Sequence, residues 1–294
     1  MSNIFSDLID LKLSSEDTLK LFRNGTRDNK KIKVYQDSVS GIIFIKDHYV
    51  GDSEFKTGEY RRKKQIKEGK AINIRNFECV SDYERRIKIF KQFYIAKDIA
   101  DFGCGYGDFL LRTKNYTKSS IGIELQEDLI NSLEGKGIEC KRNLNEIEDE
   151  SIDTFFMFHS LEHLPSPRLA LKEIKNKIRP GGKIVIEVPH ANDFLISNMR
   201  EESFIDFTLW SQHLILHTFE SLRVFLEDAN FRDIVIRGVQ RYSLSNHLVW
   251  LRDKKPGGHQ SSLSLLDTPQ LKEAYQNALA AGGLTDTILA VASI

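Results

Sequence analysis

The sequence predicts an α/β protein whose core is a seven-stranded, mostly parallel β-sheet with helices on both faces. From Asp98 onward, short strand-like runs alternate with amphipathic helical stretches, which is how a parallel sheet covered on two sides is built. A glycine-rich turn at 101–108 joins the first of these runs to its helix. The run Ile152–Phe158 is apolar on both of its faces, as a central strand between two helical layers is.

The glycine-rich turn has the sequence Asp101-Phe102-Gly103-Cys104-Gly105-Tyr106-Gly107-Asp108. Glycine is used where the backbone needs a positive φ, or where a ligand approaches the main chain without a Cβ in the way. Three glycines on alternate positions at the start of a helix leave backbone N–H groups directed at whatever lies above the strand. Taken alone, such a turn would fit a nucleotide, a phosphate group or tight packing.

A second strand, Ile121–Leu125, contains a carboxylate at Glu124. An acid at the end of such a strand can accept hydrogen bonds from both hydroxyls of a ribose. Together, D-x-G-x-G-x-G and Glu124 resemble the S-adenosylmethionine (SAM) site of class I methyltransferases. The resemblance extends over roughly residues 95–240, where L-E-H-L-x-x-P at 161–167 and R-P-G-G at 179–182 follow in the same order.

This resemblance implies a Rossmann-like fold with SAM as cofactor and S-adenosylhomocysteine as product. It places in the cofactor site Asp101, Gly103, Cys104, Gly105, Tyr106, Gly107, Glu124, Leu125, Asn143, Leu144 and His159. Asn143 is expected at the adenine, since an amide side chain both donates and accepts hydrogen bonds. An amphipathic helix predicted over Ser81–Phe93 would cover the cofactor, with Tyr83 or Arg86 beside it.

Residues 1–95 are predicted to form an N-terminal appendage without a chemical signature of its own. Ser15–Arg23 is expected to be a short helix that ends at Gly25. The runs 31–35 and 42–45 flank a turn-forming segment and predict a β-hairpin, which we expect to be metal-free because it contains no cysteine. The basic run Glu59–Lys70 is expected to be a solvated helix face.

The core is predicted to span residues 96–240, followed by a helical insert at 241–284 and a final core strand at 285–294. The sixth strand is expected to run parallel to the others, so the insert after it should cover the substrate pocket at the carboxyl edge of the sheet. The predicted later elements are strands at 138–141, 183–188, 233–237 and 287–292, with helices after Pro167, Thr218, Ser245 and Thr268. Pro180-Gly181-Gly182 is expected to stop the helix before the fifth strand.

Histidines at the carboxyl edge are the candidate catalytic bases. His190 directly follows the fifth strand, and His213 and His217 precede the next helix. The segment Trp210–His217 is similar to one in SAM-dependent methyltransferases acting on deoxysugars, where Tyr-x-Glu-His supplies active-site groups. Here Trp210 and Gln212 replace the Tyr and the Glu, which favours methylation of oxygen or nitrogen over carbon, with His213 as the leading base.

The predicted acceptor is a small molecule, in the first place a sugar or a nucleotide-linked sugar of surface-polysaccharide or secondary-metabolite biosynthesis. Its expected contacts are Glu162, His163, Trp210, Gln212, Tyr242, His247 and His259, and the last three belong to a polar and basic part of the insert. A small aromatic or amine metabolite remains the alternative acceptor.

Composition narrows the partners and the compartment. Lys+Arg and Asp+Glu both number 42, so no overall basic charge favours nucleic acid or anionic lipid. No apolar run approaches a membrane span, and the N-terminus lacks the features of a secretory leader. The three cysteines, Cys79, Cys104 and Cys140, form neither a disulfide framework nor a metal-binding pair. We therefore expect a cytoplasmic protein, with homodimerisation left open.

Three other classes compete with the methyltransferase. His159-Ser160-Leu161-Glu162-His163 matches the inverted zinc-peptidase motif H-x-x-E-H, but Pro165 and Pro167 interrupt the helix that this motif requires, so we predict no metal site. A nicotinamide-dependent oxidoreductase has the same order of strand, glycine turn, helix and acidic residue, but its glycines are spaced differently. A non-catalytic SAM-binding module is the third.

Overall fold

The computed structural model describes residues 4–58 and 77–294, and a seven-stranded sheet forms its centre. The sheet order is β10-β11-β8-β7-β4-β5-β6. The strands are β4 (Asp98–Phe102), β5 (Ser119–Ile123), β6 (Glu139–Lys141), β7 (Ile152–Phe158), β8 (Ile178–Pro189), β10 (Arg232–Val239) and β11 (Thr287–Ser293). All neighbouring pairs from β6 to β8 are parallel, whereas β11 runs antiparallel to both β8 and β10. The predicted α/β class, strand number and mostly parallel arrangement are confirmed.

Helices cover both faces of this sheet. In chain order the described α-helices are α1 (Ile4–Asp10), α2 (Asp52–Thr57), α3 (Phe77–Ile89), α4 (Lys91–Tyr94), α5 (Asp108–Thr113), α6 (Glu127–Glu134), α7 (Pro167–Lys177), α8 (Phe194–Ser197), α9 (Glu202–Thr208), α10 (Phe219–Asp228), α11 (Leu244–Asp253) and α12 (Pro269–Ala281). Short 3-10 helices lie at Leu144–Glu146, Leu161–His163, Gly258–Gln260 and Ser262–Leu266. None of the helices in the described part of the chain has the length and apolar character that a bilayer crossing requires.

The position of β7 in the middle of the sheet explains why its sequence is apolar on both faces. Phe155 and Met157 pack with the buried residues of α7 and α10 on one face of the sheet. Phe156 faces the other side, where it packs with Phe90, Phe109 and the buried residues of α6. Successive side chains of a strand point to opposite faces, so a strand covered on both faces buries every residue.

Three N-terminal strands and one later strand form a second, four-stranded antiparallel sheet. Its order is β1 (Leu19–Asn24), β2 (Lys33–Asp37), β3 (Ile43–Ile45) and β9 (Ile215–Leu216). The predicted hairpin of β2 and β3 is confirmed. Because β3 also pairs with β9, which follows the fifth core strand, this sheet is joined to the loop between β8 and α10.

The helix predicted over Ser15–Arg23 is wrong, since Leu19–Asn24 is an edge strand. The side chains of Ser15 and Thr18 form hydrogen bonds with each other and with the backbone of both residues. These bonds stabilise a turn at this point in place of the first turn of a helix. The spacing of Leu19 and Phe22 looked helical because a register irregularity between Leu21 and Arg23 interrupts the usual alternation of the strand.

The prediction that Pro180-Gly181-Gly182 stops a helix is also wrong. Helix α7 already ends at Lys177, and β8 includes all three residues. The pairing of β8 with β7 shifts from Ile178 to Lys183, so residues 179–182 bulge out of the ladder. A Cβ at position 182 would lie 2.4 Å from Ile178 Cγ2, so the bulge requires a glycine there.

Two further predictions concern the segment before the core. The helix expected over Ser81–Phe93 is divided into α3 and α4 at Phe90. The basic run Glu59–Lys70 lies outside the described residues.

In the insert, α11 and α12 match the expected helices, and Thr268 caps α12 by accepting a hydrogen bond from the Leu271 backbone N–H.

Candidate functional site

Two neighbouring cavities lie at the carboxyl edge of the core sheet. The first, here called the turn cavity, has a volume of about 360 Å³ and is lined by residues that follow β4, β5, β6 and β7. The second, here called the histidine cavity, has a volume of about 260 Å³ and is lined by residues that follow β8, β10 and α9. His159 lines both cavities, so the two meet at the end of β7.

The start of the glycine turn, Phe102 and Gly103, lines the turn cavity. Gly103, Gly105 and Gly107 have φ values of +68°, +58° and +65°, a left-handed conformation that glycine adopts without strain. A Cβ on Gly103 would lie 2.6 Å from Ser160 Oγ, and one on Gly107 would lie 2.4 Å from Leu133 Cδ2. The glycines therefore allow the turn to approach the end of β7 and helix α6 closely.

Glu124 braces this turn from the neighbouring strand. Its Oε2 accepts a hydrogen bond from the Gly105 backbone N–H at 2.9 Å, and its Oε1 accepts from the N–H groups of Leu125 and Gln126 at 2.7 and 3.0 Å. Glu124 and Leu125 both line the turn cavity. The carboxylate thus fixes the glycine turn, and its contact with a ribose stays a prediction.

Five other predicted cofactor residues are not among the residues that line the turn cavity; these are Asp101, Cys104, Gly105, Tyr106 and Gly107. Asp101 is buried, which raises the pKa of its carboxyl to about 7; the positive charge of Arg86 opposes this rise and the negative charge of Glu124 adds to it. The Cys104 thiol packs toward Cys140 beneath Gly122. The Tyr106 side chain is 53% exposed and lies on the surface of the turn.

The predicted adenine residues do line the turn cavity. Asn143 Oδ1 accepts a hydrogen bond from the Asn145 backbone N–H, and Asn143 Nδ2 donates to Glu146 at 2.8 Å. These bonds start the short helix at Leu144–Glu146 and place Leu144 against the cavity. Sequence reasoning missed the opposite wall, where Tyr49 and Phe55 reach the cavity from the N-terminal part of the chain.

His159 has a backbone conformation that is uncommon for its residue type. Its φ is +53°, and its backbone N–H donates to the Glu187 carbonyl at 2.8 Å. Burial holds the pKa of its imidazole well below the ordinary value, and the positive charge of Arg241 adds to this effect. Non-glycine residues in this conformation concentrate at functional sites, where the surrounding structure enforces it.

His190 lines the histidine cavity as predicted. Its Nδ1–H donates to the Thr285 carbonyl at 2.9 Å, so the neutral ring carries its lone pair on Nε2. The ring stacks on Phe219 with centroids 4.8 Å apart. Burial lowers the pKa of His190 to about 4, so the imidazole is neutral at physiological pH.

His213 and Trp210 also line the histidine cavity. His213 Nδ1–H donates to the Thr208 carbonyl at 3.1 Å, and burial lowers the pKa of the ring to about 3. Residues of the N-terminal region hold this segment in place: the Ser211 backbone N–H donates to Asp28 at 3.0 Å, and the Arg27 guanidinium lies 5.0 Å from the Trp210 ring. Neither contact was predicted, because it joins residues far apart in sequence.

The structure brings His217 to neither cavity. Its side chain is fully buried, its Nδ1 lies 3.0 Å from Ser221 Oγ, and its ring packs edge-on against Phe225 in the core. Burial lowers its pKa to about 3. A histidine in this position contributes to packing at the start of α10 and has no access to a substrate.

The predicted acceptor contacts divide into two groups. His163 lines the turn cavity, and Trp210 and Tyr242 line the histidine cavity. The remaining predicted contacts line neither cavity; these are Glu162, Gln212, His247 and His259. His247 is buried between Gln240 and Tyr275, and the Gln212 carbonyl accepts a hydrogen bond from His163 Nδ1 at 2.8 Å.

A network of charges that the sequence did not reveal joins α3 to the histidine cavity. Asp82 on α3 forms an ion pair with Arg241, which lines the cavity. Arg85 and Arg86 bind the carboxylate of Glu187 on β8 at 2.6 Å each. Arg86, predicted beside the cofactor, is thus engaged with the core sheet.

Comparison with known proteins agrees with this fold. A family model described as a methyltransferase domain matches residues 81–235. The tRNA U34 carboxymethyltransferase of Nautilia profundicola is 29% identical over 162 residues, which cover 50% of this chain and 51% of that protein. The chain thus spans about half the length of this curated relative.

Two solved structures share the fold. A SAM-dependent methyltransferase of Archaeoglobus fulgidus has a TM-score of 0.53 at 22% identity, with 80% of this chain and all of that chain covered. A SAM-dependent methyltransferase of Thermotoga maritima has a TM-score of 0.50 at 15% identity, with 80% and 94% covered.

The fold and the arrangement of its carboxyl edge are those of a class I SAM-dependent methyltransferase. The chain belongs to the methyltransferase domain family, and the cofactor of this domain is SAM. The turn cavity fits such a cofactor, because Gly103 exposes main chain without a Cβ at its wall and the carboxylate of Glu124 lies at the end of the next strand.

Proposed function

We propose that this protein transfers a methyl group from SAM, bound in the turn cavity, to an oxygen or nitrogen of a small polar acceptor bound in the histidine cavity. The observation that carries this proposal is the meeting of the two cavities at His159. A methyl donor in one cavity and an acceptor in the other would face each other across this residue. Positioning of this kind supplies about 7–11 kcal/mol of a reaction barrier.

When bound, SAM would supply a methyl group that its sulfonium already activates; the acceptor's lone pair would bond to the methyl carbon, and the electron pair of the broken carbon–sulfur bond would stay on the sulfur of S-adenosylhomocysteine. The chain's own residues hold the acceptor and receive the proton that its O–H or N–H releases. His190 and His213 are the candidate bases, because both line the histidine cavity and both rings carry a lone pair on Nε2. His217 is no longer a candidate, because it is buried in the core.

The lining of the histidine cavity favours a sugar-like acceptor. Trp210 and Tyr242 offer aromatic surfaces, and Asp193, Arg241 and Asp286 add groups that form hydrogen bonds. Aromatic faces combined with a few charged groups suit a polyhydroxylated ring. The guanidinium groups of Arg27 and Arg241, which both line the cavity, suit a phosphate of a nucleotide-linked sugar. A small aromatic or amine metabolite remains the alternative acceptor.

We propose a small molecule rather than a nucleic acid as the partner. The relative from Nautilia profundicola is named for its action on tRNA, but this chain matches only half of that protein. Nucleic-acid binding draws on an excess of Lys and Arg, whereas here basic and acidic residues are equal in number at 42 each.

The test has two stages. Calorimetric titration with S-adenosylhomocysteine, with NAD as the control, should show binding of the former alone; binding of NAD alone would contradict the proposal. Transfer of a labelled methyl group is then measured across panels of nucleotide-linked sugars, free sugars, phenols and amines. Label found only on small aromatic compounds or amines would support the alternative acceptor.

A further inference from the structure

Three side chains of residue types that can bind a metal converge beside the two cavities. A carboxylate oxygen of Glu162 and one ring nitrogen each of His163 and His213 lie within 4.8 Å of one another. His163 lines the turn cavity and His213 lines the histidine cavity. The three residues, here called the Glu–His–His cluster, thus lie between the proposed cofactor and the proposed acceptor.

Backbone carbonyls fix the tautomers of both histidines. His163 Nδ1 lies 2.8 Å from the Gln212 carbonyl, and His213 Nδ1 lies 3.1 Å from the Thr208 carbonyl. A carbonyl only accepts, so each Nδ1 carries the hydrogen and each neutral ring has its lone pair on Nε2. This is the arrangement of metal-ligating histidines, whose other ring nitrogen donates to a carbonyl or a carboxylate.

The carboxylate of Glu162 lacks the partners that its burial requires. The residue is 1% exposed, and neither of its oxygens has a hydrogen-bond partner among the described residues. The Nδ1 atom of His159 lies 3.4 Å from Glu162 Oε1. A buried carboxylate is normally hydrogen-bonded, ion-paired or bound to a metal, because its desolvation is otherwise uncompensated.

We propose that Glu162, His163 and His213 bind one divalent transition-metal ion such as Zn²⁺, Fe²⁺ or Mn²⁺. Two imidazoles and one carboxylate suit these ions, and three protein ligands leave open the further position that a catalytic ion needs. Two donors at about 2.1 Å from one tetrahedral ion lie roughly 3.4 Å apart, so ligation draws the three side chains together by small rotations.

The motif H-x-x-E-H contributes to this site in an unexpected way. Its glutamate and second histidine are ligands, whereas its first histidine, His159, lies beside the carboxylate. The third ligand comes from a segment 50 residues farther along the chain, which the backbone bond from Leu214 N–H to the Glu162 carbonyl at 2.8 Å holds in place. The interrupted helix after Glu162 therefore does not prevent metal binding.

The role of the ion rests on the proposed function, whereas its binding does not. An open coordination position at the meeting point of the cavities would bind an oxygen of the acceptor and lower the pKa of its hydroxyl. His213 would then be a ligand, which leaves His190 as the group that receives the proton.

Metal binding is tested on the full chain after treatment with a chelator. Dialysis against Zn²⁺, Mn²⁺ or Co²⁺, followed by elemental analysis, should show uptake of a single ion, and Co²⁺ should give a visible absorption band. Glu162→Gln and His213→Asn should each weaken binding at least about 100-fold, more than loss of an outer hydrogen-bond partner does. His190→Asn is the matched control, since His190 is also buried and bonded to a carbonyl but lies outside the cluster; it should keep the wild-type affinity.

S-adenosylhomocysteine binding by each variant verifies that it is folded. If both ligand variants lose that binding, X-ray absorption spectroscopy of the wild-type Co²⁺ form identifies the ligands instead. The proposal requires two imidazoles and one carboxylate around the ion. Absence of metal uptake by the wild type, or uptake unchanged in both variants, would overturn the proposal. A metal-loaded protein that transfers methyl groups to no acceptor would contradict the proposed function but not the metal site. Methyl transfer that chelation does not affect would contradict only the role of the ion.

Discussion

The turn cavity and the histidine cavity differ in how the chain builds them. The polar wall of the turn cavity comes from residues directly after β4, β5, β6 and β7, and main-chain groups and Glu124 fix its shape. The histidine cavity is assembled from the N-terminal region, the loop between β8 and α10, and the insert, which side-chain contacts hold together. A ligand shared by a whole enzyme class can be bound by backbone geometry, whereas a particular acceptor requires side chains that vary from one enzyme to another.

The largest expected effect separates the chemical roles of the two cavities. His190→Asn should reduce kcat by about 100-fold or more, because a general base typically contributes about 10²- to 10⁴-fold. Because burial holds the pKa of His190 at about 4, the wild-type kcat should be level above that pH and fall below it as the ring is protonated. Steady-state kinetics across pH measures both effects. S-adenosylhomocysteine affinity should not change, and a variant with normal kcat would exclude His190 as the base.

The second prediction concerns the ion pair that joins α3 to the histidine cavity. Asp82→Asn should lower the free energy of unfolding by about 3 kcal/mol, because it leaves the Arg241 guanidinium largely buried without its charged partner. Chemical denaturation measures this change, and the KM of the acceptor should rise more than the dissociation constant of S-adenosylhomocysteine. Equal losses in both cavities would contradict the assignment of Arg241 to the histidine cavity.

The same ion pair predicts a pH dependence of stability. Burial alone would raise the pKa of Asp82, but the charge and the hydrogen bond of Arg241, together with the charges of Arg86 and Arg85, outweigh burial and lower the pKa to about 2. A carboxyl with a lowered pKa in the folded state stabilises the fold above its unfolded pKa of about 3.9, and this stabilisation is lost as the pH falls toward 2. Denaturation between pH 5 and pH 2 should therefore show a smaller loss of stability for Asp82→Asn than for the wild type.

A smaller effect is expected from the glycine turn. Gly103→Ala should weaken S-adenosylhomocysteine binding about tenfold, because a left-handed conformation costs an alanine about 1–2 kcal/mol and the new Cβ would crowd Ser160. Gly283→Ala is the matched control, since Gly283 has a φ of +65° with nothing within 4 Å of its Cβ position. The control should lose stability but keep its ligand affinity, as titration calorimetry can show. Equal affinity losses would attribute the effect to general destabilisation.

The smallest effect should come from the wall that the N-terminal region adds to the turn cavity. Phe55 lines that cavity, and its ring centroid lies 5.8 Å from that of His163. Phe55→Ala should weaken S-adenosylhomocysteine binding about fivefold, which corresponds to the loss of roughly 1 kcal/mol of aromatic contact. Phe55→Leu, which keeps apolar bulk, should recover part of the affinity. Unchanged affinity in both variants would show that this wall does not contact the cofactor.

Short stretches of the sequence are enough to predict the locally encoded parts of the protein. The order of strands and helices, the glycine turn and the position of Glu124 could be predicted because each depends on a short stretch of chain and on the rule that ligands bind at the carboxyl edge of a parallel sheet. Local patterns also misled, as at Leu19–Asn24, where pairing with β2 and not helical spacing decides the structure.

Which side chains come together depends on contacts between distant segments of the chain. The two histidines His213 and His217 are four residues apart, yet one lines a cavity and the other is buried against Phe225, because β9 between them pairs with β3 of the N-terminal sheet. The convergence of Glu162 and His213, and the pairing of Arg85 with Glu187, likewise join positions far apart in the chain. Contacts of this kind arise from the packing of whole elements, which residue spacing does not specify.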